Sequence, residues 1–148
     1  MLDIPSITGI VATVGVLVGV TLAYLEVRTL VKQRQTDLIV RLYSTFGSKE
    51  FQDTWDRFRT RKFKDYSDYE KRYGWSEVYE LGLFFEGIGV LLHKKLIDIK
   101  LVDDLFSSAT KLLWEKMKPI AEGMRKELNL PQIGEYFEYL YNELQRRE

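Results

Sequence analysis

Few residues in this 148-residue chain have a type and spacing that could do chemistry. There is no Cys, which excludes a thiolate nucleophile, a Cys-based zinc site and a disulfide framework. The single His, His93, stands beside Lys94 and Lys95 at the end of an apolar segment. A helix C-terminus favours a cation there, so His93 reads as a cap rather than a base. Dimetal chemistry in a helical bundle wants Glu-x-x-His pairs, and the sequence has none. Asp103 and Asp104 fall in a first helical turn, where the macrodipole accounts for them. No Gly-rich loop is followed by Lys, and Gly87-x-Gly89 lies inside a helical pattern, so neither a P-loop nor a dinucleotide fingerprint is present. No catalytic, cofactor-binding or metal-binding residue is assigned, and the expectation is a protein that is not an enzyme.

Two features remain. Glu86 interrupts the most apolar stretch, LGLFFEGIGVLL at 81–92. A buried, unpaired carboxylate is costly. Glu86 is therefore expected to meet a cation, with Arg125 or Arg41 as candidates, or to be neutral with a raised pKa. Glu86 and Arg125 are the candidate buried polar site. The second feature is a basic run, Arg57, Arg59, Arg61, Lys62 and Lys64, with Phe58 and Phe63 between the charges. Upstream lie Arg28, Lys32, Arg34 and Arg41. The overall charge is zero, yet residues 26–64 carry net +5 and residues 65–148 net −4. Basic residues beside a membrane span suit anionic headgroups, at roughly 1 kcal/mol per cation, and Phe58 or Phe63 could insert at the interface. Arg28, Lys32, Arg34 and the 57–64 cations thus form a candidate patch for lipid or for a partner protein. The acidic half would repel nucleic acid, which is not an expected partner.

These residues must be positioned by helices. Residues 4–25 carry no charge. As a helix they span about 33 Å, enough for a hydrocarbon core of roughly 30 Å. Pro5 lies at the start, where its missing N–H does no harm, and Tyr24 falls at headgroup depth. A cleaved signal peptide fits less well: the n-region Met-Leu-Asp has no cation and the apolar run is too long. The flanking Arg28, Lys32 and Arg34 place the N-terminus outside the cell (inner) membrane and the bulk of the chain in the cytoplasm. Gly15, Gly19 and Ala23 repeat at small-xxx-small spacing, a face that lets another helix approach.

Val27, Leu30, Val31, Leu38, Ile39, Leu42 and Phe46 continue at helical steps, giving a stalk over 26–46 that ends at Gly47, with Ser48 capping the next helix. That helix carries Phe51, Trp55 and Phe58. A tyrosine-rich connection over 65–74 is predicted to hold at most one helical turn. Ser76 is predicted to cap a central helix with Val78, Leu81, Phe85, Ile88 and Leu92 inward. Asp98 caps the next, with Leu101, Val102, Leu105, Phe106, Ala109, Leu113 and Met117 inward; Pro119 should kink or break it. Asn129-Leu130-Pro131 stops that segment, and Ile133, Tyr136, Phe137, Leu140 and Leu144 line the last helix, whose tail through Glu148 should fray. The expected fold is all-α: a transmembrane helix (4–25), a juxtamembrane stalk (26–46) and a cytoplasmic bundle of four to five helices (47–148).

Arg34-Gln35-x-Asp37, Phe51-x-x-x-Trp55, Phe85-Glu86-x-Ile88-Gly89-x-Leu91, Ile97-Asp98, and Trp114 with Pro119-Ile120 and Arg125 follow the uncharged span in that order. This layout resembles a prokaryotic family of small single-span helical proteins known only as a domain of unknown function. The resemblance implies the fold and the anchor, and no activity. The functional expectation is a non-enzymatic accessory subunit or adaptor of a membrane complex, binding a protein partner or self-associating. The alternative is a membrane-bound small-molecule or lipid sensor with a ligand site near Glu86.

Overall fold

The computed structural model describes residues 1 and 3–147. They form six helices: α1 (Ile4–Phe46), α2 (Lys49–Thr60), α3 (Tyr66–Tyr73), α4 (Ser76–His93), α5 (Ile99–Leu128) and α6 (Glu135–Gln145). No strand occurs among the described residues. The fold is the expected all-α one, with a long apolar N-terminal helix followed by a helical bundle. The chain divides into two compact units, Met1–Asp37 and Leu38–Glu148. The predicted fraying at Glu148 lies outside the described residues.

The first unit is helical from Ile4, and every side chain from 4 to 34 is exposed. α1 is long and apolar enough to cross a membrane. Its threonines bond to their own backbone. Thr8, Thr13, Thr21 and Thr29 each donate a hydroxyl to the carbonyl four residues earlier, at 2.8–2.9 Å, and Thr36 does the same at 3.0 Å.

The second unit begins with the end of α1. Leu38, Ile39, Leu42 and Phe46 pack on its core. Phe46 is the hub: its ring lies 5.5–6.5 Å from those of Phe51, Trp55, Phe84, Phe85 and Phe106. Ser48 accepts from the Phe51 N–H and so starts α2, as its sequence indicates. α4 is the central helix, with Val78, Leu81, Phe85, Ile88 and Leu92 all buried. Burial of that seam offsets the poor helix propensity of its three glycines.

Five local expectations are corrected. α5 has no acidic residue in its first turn, so Asp103 and Asp104 lie beyond it, and Asp103 instead pairs with Arg147 at 3.1 Å. The 65–74 connection holds a real helix, α3, capped by Asp65, and its Tyr69 is fully buried. Tyrosines read as polar in the sequence but here supply core aromatic area. Ser76 is the first residue of α4 rather than its cap; Trp75 precedes it with no side-chain cap bond. α5 runs unbroken through Pro119. An interior proline costs about 3 kcal/mol, but Leu113, Trp114, Met117, Ile120, Ala121 and Met124 are buried on both sides of it, and that packing outweighs the loss. Leu101 and Leu105 are exposed, because the seam follows Val102, Phe106 and Thr110 instead. Thr110 can be buried because its hydroxyl donates to the Phe106 carbonyl at 2.7 Å.

Candidate functional site: a carboxylate-capped apolar cleft

α4 and α6 cross at Gly89. A Cβ added there would sit 2.0 Å from the carbonyl oxygen of Tyr136, so the two backbones touch. This crossing sets the position of Glu86, one helical turn earlier. α6 begins after Gly134, which adopts φ +68° and has no side chain with which to cap the helix. Glu86 supplies the missing cap from α4. Its carboxylate accepts the N–H of Tyr136 at 3.2 Å and of Phe137 at 2.7 Å. These are the donors an N-cap side chain would normally satisfy, and the negative charge suits that end of the helix.

Glu86 therefore pairs with no arginine, which corrects the expected partnership. Arg125 is engaged elsewhere: it donates to the Ile133 carbonyl at 2.7 Å and bridges Glu138 at 2.8 Å. Arg41 is exposed. The residue pair brought together across this region is Glu86 with the first turn of α6.

Beside Glu86 lies an open cleft of about 410 Å³. α4 contributes Val78, Gly82 and Glu86, and α5 contributes Trp114, Met117, Ala121, Met124 and Leu128. The segment 130–137 closes the third side. Tyr79, Leu83, Leu128 and Leu130 stand at least two-fifths exposed around it. Glu86 is the only charged residue in the lining, and its carboxylate is already hydrogen-bonded. The cleft can accept apolar matter and offers no cation for an anionic group.

The buried carboxylate of the bundle is Glu77, not Glu86. It is 5 % exposed and receives Arg61 through both oxygens at 2.8 and 3.2 Å, Arg57 at 3.2 Å and the Tyr69 hydroxyl at 3.2 Å. Burial alone would push the Glu77 carboxyl up. The hydrogen bonds and charge of Arg61, with Arg57 and Tyr69, outweigh burial and hold it below its ordinary value. Burial, then the Glu77 charge, pushes the Tyr69 phenol well up. The signal for Glu77 was its position one turn before Leu81, in phase with the buried seam of α4.

This network takes two cations out of the basic run. Arg57 and Arg61 hold Glu77, and Arg59 pairs with Asp56 at 3.0 Å. Lys62 and Lys64 stay exposed. Phe58 is 1 % exposed against Tyr69, and Phe63 packs half-buried on the same ring, so neither is free to enter a membrane interface. Arg28, Lys32 and Arg34 lie exposed in the first unit, and so do Gly15, Gly19 and Ala23. His93 ends α4, and its ring lies 5.3 Å from those of Tyr136 and Tyr139. No cluster of three potential metal ligands exists among the described residues.

A family model described as a domain of unknown function, DUF4760, matches residues 10–144. No curated protein and no solved structure matches the chain.

Proposed function

The chain belongs to the DUF4760 family, a domain of unknown function, and from that premise we propose that it is a non-enzymatic, single-span membrane protein whose cytoplasmic bundle binds a protein partner. In this reading it serves as an accessory subunit or adaptor of a membrane complex. One observation carries it. An apolar helical segment, uncharged and exposed from 4 to 25, shares the chain with a bundle whose two inward carboxylates, Glu77 and Glu86, are engaged in holding its own helices together. Glu77 locks α2 and α3 to α4, and Glu86 locks α6 to α4. In this reading α1 is the anchor, and the positive flank Arg28, Lys32 and Arg34 supports an orientation with those cations on the cytoplasmic side of the inner membrane. Those three cations, with Lys62 and Lys64, provide electrostatic attraction to anionic lipid or to an acidic partner. Gly15, Gly19 and Ala23 offer the face for a second membrane helix.

The test is affinity purification of the full chain from detergent-solubilised membranes. The expected result is a second membrane protein in fixed stoichiometry, lost when Gly15 and Gly19 are both replaced by Leu. Recovery of the chain alone as a monomer overturns the subunit reading.

The cleft beside Glu86 favours a second reading, a membrane-bound sensor whose bundle holds a small molecule or lipid. Its volume falls in the usual range for ligand sites, about 300–1,000 Å³, and its lining is almost wholly apolar.

A further inference from the structure

Building on the sensor reading and resting on it, we infer that the cleft between α4, α5 and the 130–137 segment binds a single linear hydrocarbon chain of about 16 carbons, the acyl chain of a lipid.

Volume sets the size. A cavity of about 150 Å³ holds one benzene, so a cleft of about 410 Å³ holds roughly 16 carbons by the same packing.

The lining sets the shape. On α5 the wall is Trp114, Met117, Ala121, Met124 and Leu128, in steps of three and four along one face. That face runs about 21 Å at the α-helical rise. The space is a slot along a helix, which suits an extended chain better than a compact ring system. Met117 and Met124 are unbranched and adapt to a chain's changing conformation.

Charge sets the orientation. The lining holds no cation, and its one carboxylate, bonded to the Tyr136 and Phe137 N–H groups, repels an anion. A phosphate or carboxylate head gains nothing inside and stays at the rim by Tyr79, Leu83 and Leu130, which are exposed.

Gly82 bears directly on the cleft, because it lies in its wall. Glycine within a helix is unfavourable by roughly 0.8–1 kcal/mol relative to Ala. At Gly89 a backbone contact requires it; at Gly82 nothing does. A Cβ there would meet only the Met117 sulfur, at an ordinary 3.5 Å. What glycine leaves at this position is open space on the wall of the cleft.

Trp114 lines the cleft and reports on it. The full chain carrying Trp55→Phe and Trp75→Phe is placed in nanodiscs, and Trp114 fluorescence is read in two arms. One uses phosphatidylcholine brominated on its acyl chains. The other titrates 9,10-dibromostearic acid into unbrominated phosphatidylcholine. Quenching is expected, and Gly82→Leu should raise the half-quenching concentration roughly 250-fold, four displaced carbons at about fourfold each. Should Gly82→Leu fail to fold, Gly82→Ala, which meets no clash, is expected to give a smaller loss of the same sign.

Quenching in the first arm supports a membrane lipid as the source, and quenching only in the second supports a free fatty acid. Quenching that Gly82→Leu leaves unchanged overturns the proposal. 4-Bromobiphenyl quenching without either brominated chain overturns the acyl assignment but keeps the cleft as a ligand site. No quenching by any probe overturns both, and if it comes with a dimer that Gly82→Leu dissociates, the occupant is a second copy.

Discussion

The contact between α4 and α6 can be tested with one methyl group. Gly89→Ala would place Cβ 2.0 Å from the Tyr136 oxygen and 2.6 Å from its carbonyl carbon. Both are backbone atoms, so no rotamer change relieves the clash, and α6 must retreat by roughly 1.5 Å to reach normal contact. Such overpacking costs about 1–3 kcal/mol. The same movement stretches the bonds from Tyr136 and Phe137 to Glu86, now 3.2 and 2.7 Å. A hydrogen bond to a charged group is worth about 1.5–3 kcal/mol, of which part is lost. The substitution also gains about 0.8–1 kcal/mol of helix propensity. The net is a loss of roughly 2–4 kcal/mol, or about 8–16 °C in melting temperature for a domain of this size. Gly87→Ala is the control. It lies on the same helix with nothing within 4 Å of its Cβ, and it should gain stability by the propensity term alone. Thermal denaturation of the detergent-solubilised full chain, followed by far-UV circular dichroism, reads both. If Gly89→Ala melts with Gly87→Ala at or above the parent, the backbone contact that positions Glu86 is refuted.

Glu77→Gln should destabilise the bundle by about 2 kcal/mol, at the low side for a broken buried pair because Arg57 and Arg61 remain partly hydrated; an unchanged urea midpoint would remove Glu77 from its central place. The folded carboxyl is held below its ordinary value of 4.5, so its contribution is complete above that pH and is lost as pH falls through the lower folded value. Urea midpoints should therefore drop below about pH 4.5 in the parent and fall less in Glu77→Gln. Val14→Arg places a charge at the middle of the uncharged run, at about 2.5–3.5 kcal/mol for insertion; alkaline extraction should then release a chain that otherwise stays with the membrane, and retention would mean that α1 is not the anchor. Glu86→Gln keeps an acceptor but removes the charge from the start of α6 and turns two charge-assisted bonds into neutral ones, for a loss of roughly 1–3 kcal/mol at neutral pH; an unchanged thermal melt would show that the cap does not depend on the charge.

The fold was legible wherever apolar spacing and capping residues agreed. The uncharged run, the Ser48 and Asp98 caps and the α4 seam all appear where periodicity puts them. It was illegible where tertiary packing overrides a local rule. Pro119 should kink or break a helix, and α5 does not break there because apolar residues on both sides of it belong to one buried face. The 65–74 segment looked like a linker because tyrosine and charge dominate it. Its helix exists because Tyr66 and Tyr69 have a core to enter, and Tyr66 packs so tightly on α5 that a Cβ at Gly123 would lie 2.3 Å from it.

The candidate site divides along the same line. Sequence could say that Glu86 sits among apolar residues and needs partners; it could not say that those partners are backbone N–H groups fifty residues away, because nothing in a side-chain inventory advertises an uncapped helix. The visible clue was local to the other end, a glycine at position 134 where a capping side chain would normally stand. A helix that starts on glycine must find its acceptor elsewhere, and a carboxylate stranded on an apolar helix must find donors elsewhere. Each deficit is the answer to the other. The same exchange explains the cleft. With Glu86 turned to α6, α4 presents Val78 and Gly82 to α5 with no charged group between them, and the space they leave is apolar by construction. The basic run shows the opposite outcome: Arg57 and Arg61 looked free because their partner, Glu77, lies sixteen to twenty residues away on a different helix. An exposed charge and a buried ion pair have the same sequence, and only the helix phase of the partner, one turn before Leu81, distinguishes them.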